Sequence, residues 1–456
     1  MSHTTDRLAE YALGMDARRL PPAVSEAVKD ALIDLFASAA AGWGAPAACS
    51  ARRTAERLFA SGSSDIWFAG RRQRPEAAAM ANSTAASALD LDDGHRAAGG
   101  HPGAAILPGV LAVGQTVHAS GPEIVAAAAA GYEIAVRIGA ARDFNRLDTF
   151  STGRWSAYGV AAAAGRLQGV SRQVLAEAMA IAGVLSPGLS AAGYSAVMGN
   201  QVKEGIPWSV LTGLMSLELA AEGMTGPLDI LDHPDYFDAR AISDDLGDRY
   251  AVTNVYFKPY ACCRWIHAAL DGLLSLMDEE KIEAGSIGGI AVQTFERALR
   301  LNNYPDPPTI EAAQYSLPFC LALGAIHGGE ALLPIHPSRL SDAAIVALAR
   351  KVRLSVEPAF DRRFPAEAGA RVVLETARGR MEKAVRSPIG DPVNPMGRRR
   401  LVAKLRRLAS GVIRVEDQSR LLEFITDIEN QTIEALGPVL RRSPPGSLEE
   451  LERWTS

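Results

Sequence analysis

Alanines and glycines at helical intervals dominate the first half of this chain, and they restrict its fold more than any other feature. Residues 75–89 carry Ala77, Ala78, Ala79, Ala81, Ala85 and Ala86. Ahead of them, Pro21-Pro22 opens a stretch in which Val24, Val28, Ala31, Leu32 and Leu35 recur at helical spacing, closing near Gly42. Proline suits a first helical position, where its missing N–H is no loss, and the spacing puts the apolar groups on one face. Runs of the same kind cover 106–118, 122–138, 156–165, 174–184 and 208–222. Small side chains let helix axes approach closely, so the pattern predicts a tightly packed bundle whose alanines are mostly core filler.

The character changes near residue 250. Residues 251–257, 287–294 and 352–356 are rich in β-formers. The stretches 371–376 and 381–385, joined by Ala377-Arg378-Gly379-Arg380, read as a hairpin. Helical runs at 261–277 and 315–328 lie between strands, so roughly 260–395 reads as α+β. Beyond Pro388, Pro392 and Pro395 the helical pattern resumes at 398–408 and 418–436. The expectation is a mainly α protein: a helical domain at 1–258, an α+β domain at 259–396, and C-terminal helices at 397–456 that return to the first.

With 456 residues, 48% of them hydrophobic and 22% charged, the chain has the length for two domains and the balance of a soluble globular protein. Its net charge of −5 gives no general attraction for nucleic acid or anionic membrane. Cys49, Cys262, Cys263 and Cys320 form no CxxC pair and fit no zinc site, iron–sulfur cluster or disulfide framework, which points to a reducing cytoplasmic setting. Residues 1–7 lack an apolar signal core, and the longest apolar runs are broken by glycine or charge, so no membrane span is expected.

The densest chemistry lies in Asp90-Leu91-Asp92-Asp93-Gly94-His95 and the His101-Pro102-Gly103 that follows. Three carboxylates and two imidazoles fall within a dozen residues of a chain with eight histidines in all. Clusters of this kind are costly to bury and mark active sites. Asp93 and His95 are close enough to share a hydrogen bond, and an Asp–His pair can take a proton from carbon beside a carboxylate. His101 stands before a helix expected to start at 104–106, where the positive helix end favours a bound anion and a neutral imidazole. Lys203, ahead of the 208–222 helix, and Lys258, in Phe257-Lys258-Pro259-Tyr260, supply cations for an anionic substrate. Arg264 offers another, and His267 lies one helical turn after Cys263. Cys262 and Cys263 read as packing residues rather than nucleophiles. The hydroxyls of Tyr315-Ser316 either touch a ligand or cap a helix. GxGxxG, P-loop and HExxH patterns are absent from the sequence, so the chemistry is expected to run on side chains alone, with no metal and no cofactor.

In order along the chain, Ala88-Leu89-Asp90-Leu91-Asp92-Asp93, His101-Pro102-Gly103, Gly131-Tyr132-Glu133, Lys203, Gly223-Met224-Thr225-Gly226-Pro227, Lys258-Pro259-Tyr260 through His267, Tyr315-Ser316-Leu317-Pro318 and Gly390-Asp391-Pro392-Val393-Asn394-Pro395 resemble the MmgE/PrpD family. That family comprises 2-methylcitrate dehydratases, cis-aconitate decarboxylases and iminodisuccinate epimerases. The resemblance implies a large all-helical domain with an inserted, smaller α+β lid domain, and a homodimer. It places proton handling and anion binding on Asp93, His101, Lys203, Lys258 and His267. We expect His95, Thr152, Arg264 and Ser316 to contact substrate. Ser87 and Ser151 stand where members often carry histidine, and Glu204-Gly205-Ile206-Pro207-Trp208 replaces the usual small residues, departures that bear on the substrate.

The activity implied is a cofactor-independent, 2-methylcitrate dehydratase-like lyase acting on a small polycarboxylate by α-proton abstraction. Lys203 and Lys258 would hold carboxylates and the developing enediolate, Asp93 or His101 would remove the proton, and His267 or His101 would protonate the leaving hydroxyl. Decarboxylation and epimerisation are the alternatives on the same site. A non-catalytic binder of small acids is the rival from another class.

Overall fold

The computed structural model describes residues 2–143, 151–187 and 199–445. Phe150 and the 446–456 end of the C-terminal segment lie outside the described residues. The protein is mainly α, and its first part is built from α1 (Pro22–Gly42), α2 (Pro75–Ser87), α3 (Pro102–Val117), α4 (Gly121–Ala140), α5 (Gly153–Gln168), α6 (Arg172–Leu185) and α7 (Ile206–Ala221). Pro22, Pro75 and Pro102 each open their helix, and Ser120 forms a capping box with Glu123 at the start of α4. α3 thus begins earlier than the sequence suggested, with His101 itself in the N-cap position.

The small residues set how closely these helices approach. Where α4 crosses α5, a Cβ on Gly159 would stand 2.3 Å from the Gly131 carbonyl oxygen. Where α1 crosses α2, a Cβ on Gly42 would stand 2.1 Å from Ala85 O. No carbon tolerates those distances, so only glycine permits either crossing.

A two-residue ladder pairs β1 (Gly94–His95) with β2 (Val255–Tyr256), antiparallel, and ties the acidic loop to the segment carrying Lys258. The strand expected over 251–257 is confined to its end. Ala251–Asn254 is a 3-10 turn, because β1 offers only two residues to pair with and the Phe257 N–H turns aside to Gly390 O.

Beyond it come α8 (His267–Glu279), β3 (Ile287–Thr294), α9 (Leu317–His327), β4 (Val352–Val356), β5 (Ala370–Thr376) and β6 (Gly379–Val385). The sheet order is β4-β3-β5-β6, with β3 and β4 parallel and the other pairs antiparallel. Along β3 the side chains of Ile290, Val292 and Thr294 alternate inward, and α8 lies across β5 and β6. The helix expected from 261 starts only at His267. The N–H groups of Ala261 and Cys263 are held by the carbonyls of Leu332 and Gln314, and Arg264–Ile266 forms a 3-10 turn. Finally α10 (Arg398–Leu408) packs on α1, and α11 (Val415–Thr426) ends the last long helix at Thr426, with short 3-10 turns beyond it.

One continuous apolar core includes residues from Leu8 to Ala261 together with Leu401, Leu405, Phe424 and Leu440, and a second spans Tyr260 to Leu374. Among the described residues no single helix is long and apolar enough to cross a membrane. α1 and the helix Pro46–Leu58 have the length together but bend by 93°.

Candidate active site

The loop leaving α2 turns at Asp90, whose φ of 55° lies in the left-handed region. That conformation costs an ordinary residue on the order of 1 kcal/mol and persists only where neighbours enforce it. The neighbours are cations. Asp90 Oδ2 lies 2.9 Å from Lys258 Nζ, while Oδ1 lies 3.3 Å from Lys203 Nζ and 3.8 Å from His101 Nε2. Two lysines distant in sequence therefore converge on one carboxylate. Lys203 also donates to Gln314 Oε1 at 3.2 Å and sits 5.2 Å from the Tyr315 ring centre. Lys258 is fully buried, and its ammonium meets Asp90 off the hydrogen-bond axis, with no other hydrogen-bond partner among the described residues. Burial pushes Asp90 up, but Lys203, Lys258 and His101 hold it far below the ordinary carboxylate range. Burial pulls Lys258 down, but Asp90 and Asp92 leave it raised overall.

His101 was expected to be neutral at its helix end, and it is not. Burial resists its charge, but the nearby Asp92 carboxylate outweighs burial and lifts its pKa to about 9. Asp92 Oδ2 stands 3.4 Å from Nδ1, closer than any favour the helix dipole can withhold. Nδ1 donates to the Asp93 carbonyl oxygen at 2.9 Å, which leaves the Nε2 proton facing Asp90. At neutral pH the His101 ring therefore carries both protons.

Asp93, cast by the sequence as a base, bonds instead to the bundle. Its Oδ1 accepts from the Gly103 N–H at 2.8 Å and its Oδ2 from the Tyr132 hydroxyl at 2.7 Å. Burial, aided by Asp34 and Asp92 and opposed by Tyr132, pushes it up to about 7. The expected Asp93–His95 hydrogen bond is not made. His95 is buried with no hydrogen-bond partner on Nδ1, and burial followed by Arg96 lowers it to about 4.

Thr152 was expected to contact substrate. Its N–H and hydroxyl both go to Glu204 Oε2, at 3.1 and 2.7 Å, and its oxygen accepts the His101 N–H at 3.0 Å. Arg264 is likewise engaged with protein: Nη2 lies 2.7 Å from Asp391 Oδ1, and Nη1 donates to Ile389 O at 3.0 Å. Asp391 also holds Arg96 at 2.7 Å, so one carboxylate bridges the acidic loop to the segment around Arg264. Ser316 caps α9, accepting from the Phe319 N–H and donating to Tyr304 O.

His267 cannot serve as the acid expected of it. Its Nδ1 lies 3.0 Å from Arg264 Nη1 and its Nε2 3.1 Å from Cys262 O. A guanidinium only donates and a carbonyl only accepts, so the neutral Nε2–H tautomer is fixed and both nitrogens are committed. Burial and Arg264 hold its pKa well below normal. Its role is to hold Arg264. The thiols of Cys262 and Cys263 are pushed up by burial, in keeping with packing residues.

Three residues of this cluster were not singled out from sequence. Asp90 was counted among the carboxylates of the acidic loop without a role of its own, and Gln314 stood as an unremarked neighbour of Tyr315. Lys404, on α10, had no signal at all. Its Nζ lies 2.7 Å from Asp34 Oδ1 and donates to Leu91 O at 2.7 Å, both side chains being 1% exposed. It props the acidic loop from beneath.

Asp90, Asp92 and His101 also bring ligand-type atoms within 4.8 Å of one another, a grouping the sequence did not suggest. A divalent ion there would have to displace both ammoniums from Asp90 and the proton from His101, so this set fits a cation poorly.

Residues 6–246 match the MmgE/PrpD N-terminal domain and residues 260–430 the MmgE/PrpD C-terminal domain. The chain is 26% identical over 467 residues to the cis-aconitate decarboxylase-like protein oryM of Aspergillus oryzae, covering 94% of this chain and 95% of that one. It is 26% identical over 463 residues to a cis-aconitate decarboxylase of Aspergillus terreus, covering 93% and 92%. The two domain matches together take in most of the sequence, and the chain belongs to the MmgE/PrpD family.

Proposed function

We propose that the chain is a lyase that decarboxylates a small unsaturated polycarboxylate. The observation that carries this reading is a charged imidazole beside two buried ammoniums: His101, raised to about 9, with Lys203 and Lys258 around Asp90. Decarboxylation needs an electron sink and a proton donor more than it needs a base. The carbon–carbon bond to one carboxylate breaks and CO2 leaves. The bonding pair passes into the remaining conjugated carboxylate, held by Lys203 and Lys258. His101 delivers its Nε2 proton to carbon and regains one from water. Asp90, held far below the usual carboxylate range, is too weak a base for α-proton abstraction, and it keeps the two ammoniums together. The decarboxylases among the relatives support the same reaction class.

One observation favours a second reading. Asp93, near 7 and hydrogen-bonded to Tyr132, has the basicity for α-proton abstraction, which would begin a 2-methylcitrate dehydratase-like loss of water. In either case residues 259–396 would act as the lid, with Asp391 at its seam to Arg96. A homodimer is part of the proposal, supported by the exposed apolar side chains Val202, Trp208 and Met215 on and just ahead of α7.

The test is incubation with glutaconate, cis-aconitate, citrate, 2-methylcitrate and iminodisuccinate in D2O, followed by NMR. Bicarbonate with one deuterium on product carbon supports decarboxylation. Loss of water without CO2 moves the assignment to dehydration, and label exchange into recovered substrate moves it to epimerisation.

A further inference from the structure

The turn that presents Lys203 also presents a carboxylate to the same site. Lys203, Glu204 and Gly205 have successive φ values of 46°, 57° and 72°. The turn is held at its middle carbonyl: Ser151 Oγ donates to Glu204 O at 2.8 Å, and that oxygen packs so close to α5 that a Cβ on Gly153 would come within 2.8 Å of it. So held, Glu204 places Oε2 against the N–H and hydroxyl of Thr152 at the start of α5, at 3.1 and 2.7 Å. A helix start with an N–H and a hydroxyl converging is what a substrate carboxylate would seek. Here the chain supplies its own. Thr152 Oγ1 in turn accepts the backbone N–H of His101, so Glu204 is two hydrogen bonds from the backbone of the residue that carries the proton donor rather than on a remote surface.

Resting on the reading of this site as one for polycarboxylates, we infer that Glu204 stands where a third substrate carboxylate would bind, so that the site takes dicarboxylates and rejects their tricarboxylate counterparts. Charge agrees with geometry. Lys203, Lys258 and His101 stand against Asp90 and Asp92, and the Glu204 carboxylate held at Thr152 cancels the one positive charge left over, so each added carboxylate on the ligand meets repulsion that the site without Glu204 would not present. Among the described residues, Lys258 Nζ and Gln314 Nε2 are buried donors beside Asp90 and Lys203 without a hydrogen-bond partner, one for each of two substrate carboxylates. Glu204 is thereby a specificity-determining residue, acting by repulsion and by occupancy.

Glutarate and propane-1,2,3-tricarboxylate form an inert matched pair that differs by one carboxylate. Their dissociation constants, measured by calorimetry on the wild type, Glu204→Ala and Glu204→Asp, decide the matter, with thermal melts to confirm folding. The wild type should bind glutarate at least tenfold more tightly than the triacid. Glu204→Ala should shift that ratio toward the triacid by tenfold or more, and Glu204→Asp, which keeps the charge, should retain the wild-type preference. An equal ratio in wild type and Glu204→Ala, or a wild type that prefers the triacid, overturns the inference. Turnover of glutaconate and cis-aconitate, followed in parallel, reports on the reaction separately. The ratio shift without turnover of any acid removes the lyase reading and leaves Glu204 its role, and turnover with an unshifted ratio does the reverse. Binding of neither acid by any of the three proteins overturns both.

Discussion

Replacing Lys404 with methionine tests how the acidic loop is supported. The ammonium is 2.7 Å from Asp34 Oδ1 and 2.7 Å from Leu91 O, and both side chains are 1% exposed. Methionine fills the space and removes the charge. Asp34 is then buried without a partner, since its other oxygen has no hydrogen bond now. An uncompensated buried charge of this kind costs roughly 3–5 kcal/mol. Asp34 can escape by taking a proton, which for a carboxyl of ordinary pKa about 3.9 costs ~4 kcal/mol at pH 7 and ~1.5 kcal/mol at pH 5. The Leu91 carbonyl loses its partner as well, at about 1 kcal/mol. Guanidinium unfolding should therefore show Lys404→Met destabilised by ~4–5 kcal/mol at pH 7 and by clearly less at pH 5. Asp34→Asn combined with Lys404→Met should recover much of the loss. A loss under about 1 kcal/mol at pH 7, or one that does not shrink on acidification, would refute the reasoning.

Gly103→Ala should destabilise the fold by ~1–3 kcal/mol and shift the upper Asp93 environment, because the new Cβ would stand 2.5 Å from both Asp93 Oδ1 and the Tyr132 hydroxyl; chemical unfolding and the near-UV tyrosine signal check it. His101 also links stability to pH. Its folded pKa of about 9 lies above the ordinary value of about 6.5, so its stabilisation is complete below 6.5 and disappears as pH rises through 9. Between pH 7.5 and 10 the wild type should lose about 2 kcal/mol more than His101→Asn in parallel unfolding curves, and superimposable losses would contradict the assignment.

The helical half was legible because glycine and alanine spacing reports contact distance directly, as the Gly131–Gly159 crossing shows. The acidic loop and both lysine segments were legible as concentrations of charge. What could not be read was direction. One left-handed residue swings Asp90, rather than Asp93, between the lysines, and no spacing rule reveals that turn. His101 looked like a neutral helix-cap imidazole until Asp92 was seen 3.4 Å away. His267 looked available until both its nitrogens were found engaged. Lys404 was invisible because its partner Asp34 lies at the far end of the sequence, and a basic helix such as Arg398–Leu408 reads as solvated surface. The 251–257 strand failed because a strand needs a partner as long as itself, and β1 has two residues.

The charge on His101 is the point on which the catalytic account turns, and heteronuclear NMR titration of its imidazole measures it directly. The account expects a doubly protonated ring at pH 7.5 with a midpoint near 9, moving down by more than one unit in Asp92→Asn. A midpoint at or below 6.5 in the wild type, indifferent to Asp92→Asn, would leave the site without its proton donor and contradict the account.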